Sequence, residues 1–89
     1  MTDEIMPDTT TLVNSVVTAL REMGGQGTNE QIRKAVIEKL HLSDEVVSAI
    51  HSGRRTKLEY KLAWTRTIAK QKGLIVPLGR MNWALAKSL

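Results

Sequence analysis

The hydrophobic spacing of this chain changes at Gly73, and that change constrains everything around it. Before Gly73, from about Thr56 to Lys72, apolar residues return every three or four positions, the period of a helix with one buried face. After it, Leu74-Ile75-Val76 and Asn82-Trp83-Ala84-Leu85 are short β-rich runs joined by about five residues. Those lengths fit a hairpin, with its turn expected at Pro77-Leu78-Gly79 and Arg80 at its tip. Gly73 falls where a helix commonly needs its C′ glycine.

The upstream chain supplies scaffold. Asp8 or Thr9 can cap a first helix running to about Met23, with Leu12, Val13, Val16, Val17, Leu20 and Met23 on its apolar face. Gly24-Gly25-Gln26-Gly27 ends it and is expected to be a loop. It lacks the Lys-Ser/Thr that follows the glycines of a phosphate-cradling loop. Thr28, with Gln31 three residues on, has the capping-box pattern and opens a second helix over about Asn29–Leu40. Its Arg33, Lys34, Glu38 and Lys39 are expected to face water. Ser43, followed by Asp44 and Glu45, opens a third helix, expected to end near His51-Ser52-Gly53. Residues 1–9 are expected to form a loose arm ahead of one domain over 10–89.

The order helix, helix, helix, basic helix, strand, turn, strand predicts an α+β, mainly α fold. It is the order of a winged helix-turn-helix: four helices followed by a two-stranded hairpin wing. On the fourth helix Leu58, Leu62, Thr65 and Ala69 share one face, with Ile68 beside them, and should pack inward. Thr56, Tyr60, Ala63 and Thr67 lie opposite. Lys57, Lys61 and Trp64 form one flank, Arg66 and Lys70 the other.

Charge separates along the chain. Residues 1–53 hold four basic and eight acidic side chains, a balance of −4, whereas residues 54–89 hold nine basic and one acidic, a balance of +8. A basic half of this kind points to a polyanionic partner, although a solvated basic face has the same composition. The expected partner is double-stranded DNA. Helix four would enter the major groove, led by Arg54, Arg55, Thr56, Lys57, Tyr60 and Lys61. Arg80 and Asn82 would touch the backbone or minor groove from the wing. Lys70, and Thr28-Asn29 at a helix N-terminus, would hold phosphates. Trp83 is expected in the core. For Trp64, packing at the core or its edge is favoured over DNA contact, in which an exposed ring would meet a pyrimidine methyl group.

Other chemistries find little support. The chain has no cysteine, hence no disulfide, thiolate metal site or cysteine nucleophile. No metal or cofactor is expected, since His41 and His51 lack the partners of a zinc site. Pro7-Asp8 and Glu59-Tyr60-Lys61 imitate the halves of a PD-(D/E)xK nuclease motif, but that chemistry needs carboxylates and lysine converging on a metal from adjoining strands. Here one half starts a helix and the other lies inside one. No apolar run approaches the roughly 20 residues of a membrane span, and the acidic N-terminus is not a signal peptide. A cytoplasmic location is expected.

Taken together, several segments resemble the N-terminal domain of Mrr-type restriction proteins. They are Pro7-Asp8, Leu42-Ser43, Ser52-Gly53-Arg54, Leu62-Ala63-Trp64-Thr65-Arg66-Thr67, Lys70-Gln71-Lys72-Gly73-Leu74-Ile75, and Gly79-Arg80 with Trp83-Ala84-Leu85. The resemblance covers about residues 6–86 and implies a winged-helix DNA-binding fold. In full-length relatives this fold is joined to a nuclease that cuts DNA carrying methylated bases. Two departures matter. The sequence stops after the wing, so cleavage is not carried over, and Ala84-Leu85-Ala86-Lys87 stands where relatives tend to have Thr after Leu. The expectation is therefore a non-enzymatic reader of double-stranded DNA, with methylated DNA as one candidate form. A protein-interaction module, including a homodimer, and a small transcriptional regulator are the alternatives.

Overall fold

The computed structural model describes residues 6–53 and 55–86, and of Ile50–Ser52 and Arg55 only the backbone. Helix α1 spans Thr9–Glu22, strand β1 Gln26–Thr28, α2 Asn29–Leu40 and α3 Asp44–Ser48. Strands β2 (Ile50–Ser52) and β3 (Arg55–Thr56) precede α4 (Lys57–Gln71), and β4 (Ile75–Gly79) and β5 (Asn82–Leu85) follow it. The fold is α+β and mainly helical.

Each helix starts where a short polar side chain can satisfy amides that the first turn leaves without partners. Asp8 accepts from Thr11 N–H at 2.8 Å. Thr28 and Gln31 close the expected capping box on α2, at 3.0 and 2.9 Å. Ser43 caps α3. Thr56 and Glu59 form a second capping box at the start of α4.

The apolar stripes then meet. Leu12, Val16 and Leu20 of α1, Ile32 and Val36 of α2, Leu58 and Leu62 of α4, and Ile75 of β4 are almost wholly removed from water. Each such side chain contributes about 1.5–3 kcal/mol relative to an exposed one. The inward face expected for α4 is the one observed, with Thr65 also buried and its hydroxyl donating to the Lys61 carbonyl at 2.7 Å. That bond lets a polar residue sit in the core without leaving an unmade hydrogen bond.

Three expectations are corrected. The hairpin is part of a three-stranded antiparallel sheet in the order β1-β5-β4, with Gly27 opposite Trp83 and Val76 opposite Ala84. Gln26 and Gly27 are therefore strand, covering an edge of β5 that a two-stranded wing would leave unpaired. The expected Pro77-Leu78-Gly79 turn belongs to β4, and the chain reverses at Arg80-Met81 instead. Pro77 is tolerated there because β4 is an edge strand, where a missing N–H need break no ladder bond. Finally, α3 ends at Ser48, and Ile50–Ser52 pairs with Arg55–Thr56 as a small ribbon. The ribbon is tied to the next helix by Lys57 N–H donating to the Ala49 carbonyl at 2.7 Å.

Candidate nucleic-acid interface

Burying Leu58, Leu62, Thr65 and Ala69 determines which side of α4 faces solvent. The outward face carries Tyr60, Ala63, Trp64 and Thr67. Trp64 is 55% exposed and Tyr60 39%, so Trp64 is not in the core. The tryptophan lies away from the buried stripe, with Thr9 of α1 and Ile68 beside it. Trp83, by contrast, packs against the core as expected.

Lysines border this face. Lys57 is exposed in the first turn, Lys61 is half-buried one turn on, and Lys70 is exposed in the last turn. Asp8 lies within electrostatic reach of Lys61. The Asp8 carboxyl is held below its ordinary value, chiefly by the hydrogen bond from Thr11 N–H and then by the Thr11 side chain; desolvation opposes this, and the charge of Lys61 adds the least. Thr56 is occupied as the cap of α4, although a hydroxyl that accepts from Glu59 N–H can still donate. Arg55 lies on β3, its backbone opposite Ser52. The expected role of Arg54 falls outside the described residues.

A second group gathers at the sheet end. Arg80 is exposed on the hairpin turn. Asn82 donates through Nδ2 to the Arg80 carbonyl at 3.0 Å, which braces the turn. The turn is also anchored to α2, because Asn29 N–H donates to the Met81 carbonyl at 2.9 Å. Asn29 Oδ1 in turn accepts from the Trp83 indole N–H at 2.8 Å. The hairpin tip is thus braced against the start of α2.

This bracing changes the reading of Thr28 and Asn29. A helix N-terminus binds phosphate through amides that point outward unpaired. At α2, Thr28 N–H goes to Gln31 Oε1, Gln31 N–H to Thr28 Oγ1, and Asn29 N–H to Met81. Three of the donors that such a phosphate would use are engaged within the protein.

Between the two groups runs a cleft of ≈260 Å³ lined by Asn29, Glu30, Arg33, Glu59, Leu62, Arg66 and Met81. From sequence Arg33 is only a solvent-facing residue of α2. In the fold its Nε is buried, with no hydrogen-bond partner among the described residues. Its position three residues after Glu30 on α2 gives no sign that α4 approaches it. The cleft mixes two arginines with two glutamates, so it does not present one sign of charge.

The two halves of the PD-(D/E)xK imitation lie on separate helix starts. Asp8 and Glu59 each cap a different helix, and among the described residues no three His, Asp or Glu side chains gather as metal ligands would. Among those residues no helix is long and apolar enough to cross a membrane.

No curated protein and no solved structure matches this chain. A family model described as the Mrr N-terminal domain matches residues 10–88, and no nuclease domain is found on the chain. With the match spanning nearly every residue from the first helix through the hairpin, the chain belongs to the Mrr N-terminal domain family.

Proposed function

We propose that this chain is a non-catalytic winged-helix domain that binds double-stranded DNA, as the DNA-reading part of a restriction-type defence protein. The observation that carries this reading is the coincidence of charge and exposure. The half of the chain with a balance of +8 includes α4, whose outward face exposes Tyr60, Trp64 and Thr67, and the hairpin turn with exposed Arg80. Helix α4 enters the major groove with Tyr60, Ala63, Trp64 and Thr67 toward the base edges. Lys57, Lys61, Lys70 and Arg80 hold phosphates on either side. Membership of the Mrr N-terminal domain family supports a DNA-related role. Because the hairpin tip is braced on α2, Arg80 acts on the backbone rather than as a long finger in the minor groove.

The test is a salt-titrated binding assay on one duplex library in unmodified, cytosine-methylated and adenine-methylated forms. Binding with a steep salt dependence supports the reading, and a preference for one methylated form that survives at about 150 mM salt makes the domain a sensor of modification. No binding to any form sinks it.

One observation favours a second reading. Tyr60 and Trp64 leave a large aromatic surface exposed, as interfaces between proteins often do. Sedimentation at micromolar concentration separates the two, because a stable dimer formed through α4 would hide the surface proposed for DNA.

A further inference from the structure

The most unusual surface of the molecule is the aromatic ridge on α4. Tyr60 and Trp64 are one turn apart, so their side chains share a face. An open depression lies on each side of Trp64. One, of ≈260 Å³, is lined by Tyr60, Ala63, Trp64 and Thr67. The other, of ≈310 Å³, is lined by Thr9, Tyr60, Lys61, Trp64 and Ile68. Both are mostly apolar, Lys61 lines the second, and exposed Lys57 lies one turn before it on α4.

In a closed duplex groove these side chains meet base edges alone, and the faces of the two rings gain no partner. B-form DNA presents base edges there, and its ring faces are covered by neighbouring bases. Edges are read by amide, carboxylate and guanidinium groups, whereas α4 turns outward two rings, an alanine and a threonine. Exposed rings beside lysines are the chemistry of a stacking platform, in which a base lies on the ring and cations hold the flanking phosphates. The charge of the C-terminal half selects a polyanion over a neutral peptide as the occupant.

We propose that the Tyr60–Trp64 face of α4 stacks an unpaired DNA base, so that the domain prefers duplex with a local opening over closed duplex. The inference rests on the DNA-binding reading above and specifies which form of DNA that face takes.

The experiment uses one labelled sequence in three forms: closed duplex, duplex with a central three-base bubble, and single strand. Affinities are measured by anisotropy for the full chain and for Trp64→Leu and Tyr60→Leu. Emission is followed in a Trp83→Phe background, where Trp64 is the remaining tryptophan. Stacking one base predicts roughly a tenfold preference for the bubble over the closed duplex. It also predicts quenching of Trp64 emission on binding and collapse of that preference toward one in Trp64→Leu. Equal affinity for duplex and bubble, or unchanged Trp64 emission, overturns the inference while duplex binding itself leaves the DNA-binding reading standing. Loss of binding to every form removes both. A concentration-dependent blue shift of Trp64 emission without DNA overturns the inference in favour of a contact between two copies of the chain.

Discussion

At the scale of single residues, the hairpin is held by Asn29. Its backbone N–H bonds the Met81 carbonyl and its side chain takes the indole proton of Trp83. Removing the side chain leaves a partly buried indole N–H without a partner, which costs about 1–2 kcal/mol. Asn29→Ala should lower the urea midpoint by a corresponding amount with an unchanged slope, and a midpoint equal to that of the unmutated chain would show that water replaces the bond. Asp8 makes a different prediction, in pH. Its folded-state value is lowered by the Thr11 hydrogen bonds and by Lys61, so the unfolded chain binds the proton more tightly. The stability it contributes is complete above the ordinary carboxylate value and is lost as pH falls through the folded one. Asp8→Asn retains a side chain that can cap the helix but removes the titration. A thermal series below about pH 4.5 should show a shallower acid loss for Asp8→Asn than for the unmutated chain. Parallel acid limbs would show that Asp8 does not take part. Neither residue's full role is legible in the sequence. Asp8 can be read as a cap, but its coupling to Lys61 needs the approach of α1 to α4, and the Asn29–Trp83 bond joins positions 54 residues apart.

At the scale of elements, what the sequence reveals is what local chemistry decides. The cap of α2, its span, the inward face of α4 and the glycine after it all follow from neighbours within four residues. Long-range pairing is not legible in this way. Strand β1 is three residues long and exists because β5 offers it an edge. The end of α2 is also obscure, since His41 adopts a left-handed conformation (φ 51°) that its identity does not announce. Gly73, at φ 76°, takes the same region with the residue suited to it. A Cβ added there meets nothing within 4 Å, so Gly73→Ala tests backbone strain alone. The expected cost is about 1–2 kcal/mol, a fall in Tm of roughly 5–10 °C for a domain of this size. Gly73→Asn should lose less, because asparagine tolerates this region better. A Tm for Gly73→Ala equal to that of the unmutated chain would mean that the junction between α4 and β4 relaxes away from the left-handed region.

At the scale of the whole molecule, α4 and the hairpin turn carry an excess of cations, while α1 and α2 mix both signs and α3 is acidic. Glu22, Glu30, Glu38, Asp44 and Glu45 lie on α1, α2 and α3, while Lys57, Lys61, Arg66 and Lys70 lie on α4 and Arg80 on the hairpin turn. The asymmetry is plain in the sequence, but it does not reveal that Arg66 turns into the cleft beside Arg33, or that Lys61 shares its surroundings with Asp8. On the DNA-binding reading, these placements assign unequal roles to the cations. Each lysine that contacts a phosphate releases about one condensed counterion, so the slope of log affinity against log salt counts such contacts. The double variant Lys57→Ala, Lys61→Ala should reduce that slope by about two, and weaken binding to unrelated duplexes by similar factors. Lys34→Ala provides the contrast, since Lys34 is exposed on α2 away from its buried Ile32 and Val36 and should leave the slope unchanged. Asp8→Asn removes the negative charge beside Lys61 and should tighten binding at low salt, with the difference fading as salt screens it. A slope that falls equally in Lys34→Ala and in the α4 double variant would show a diffuse response to net charge. A slope that falls only with Lys57 and Lys61 places the phosphate backbone along α4.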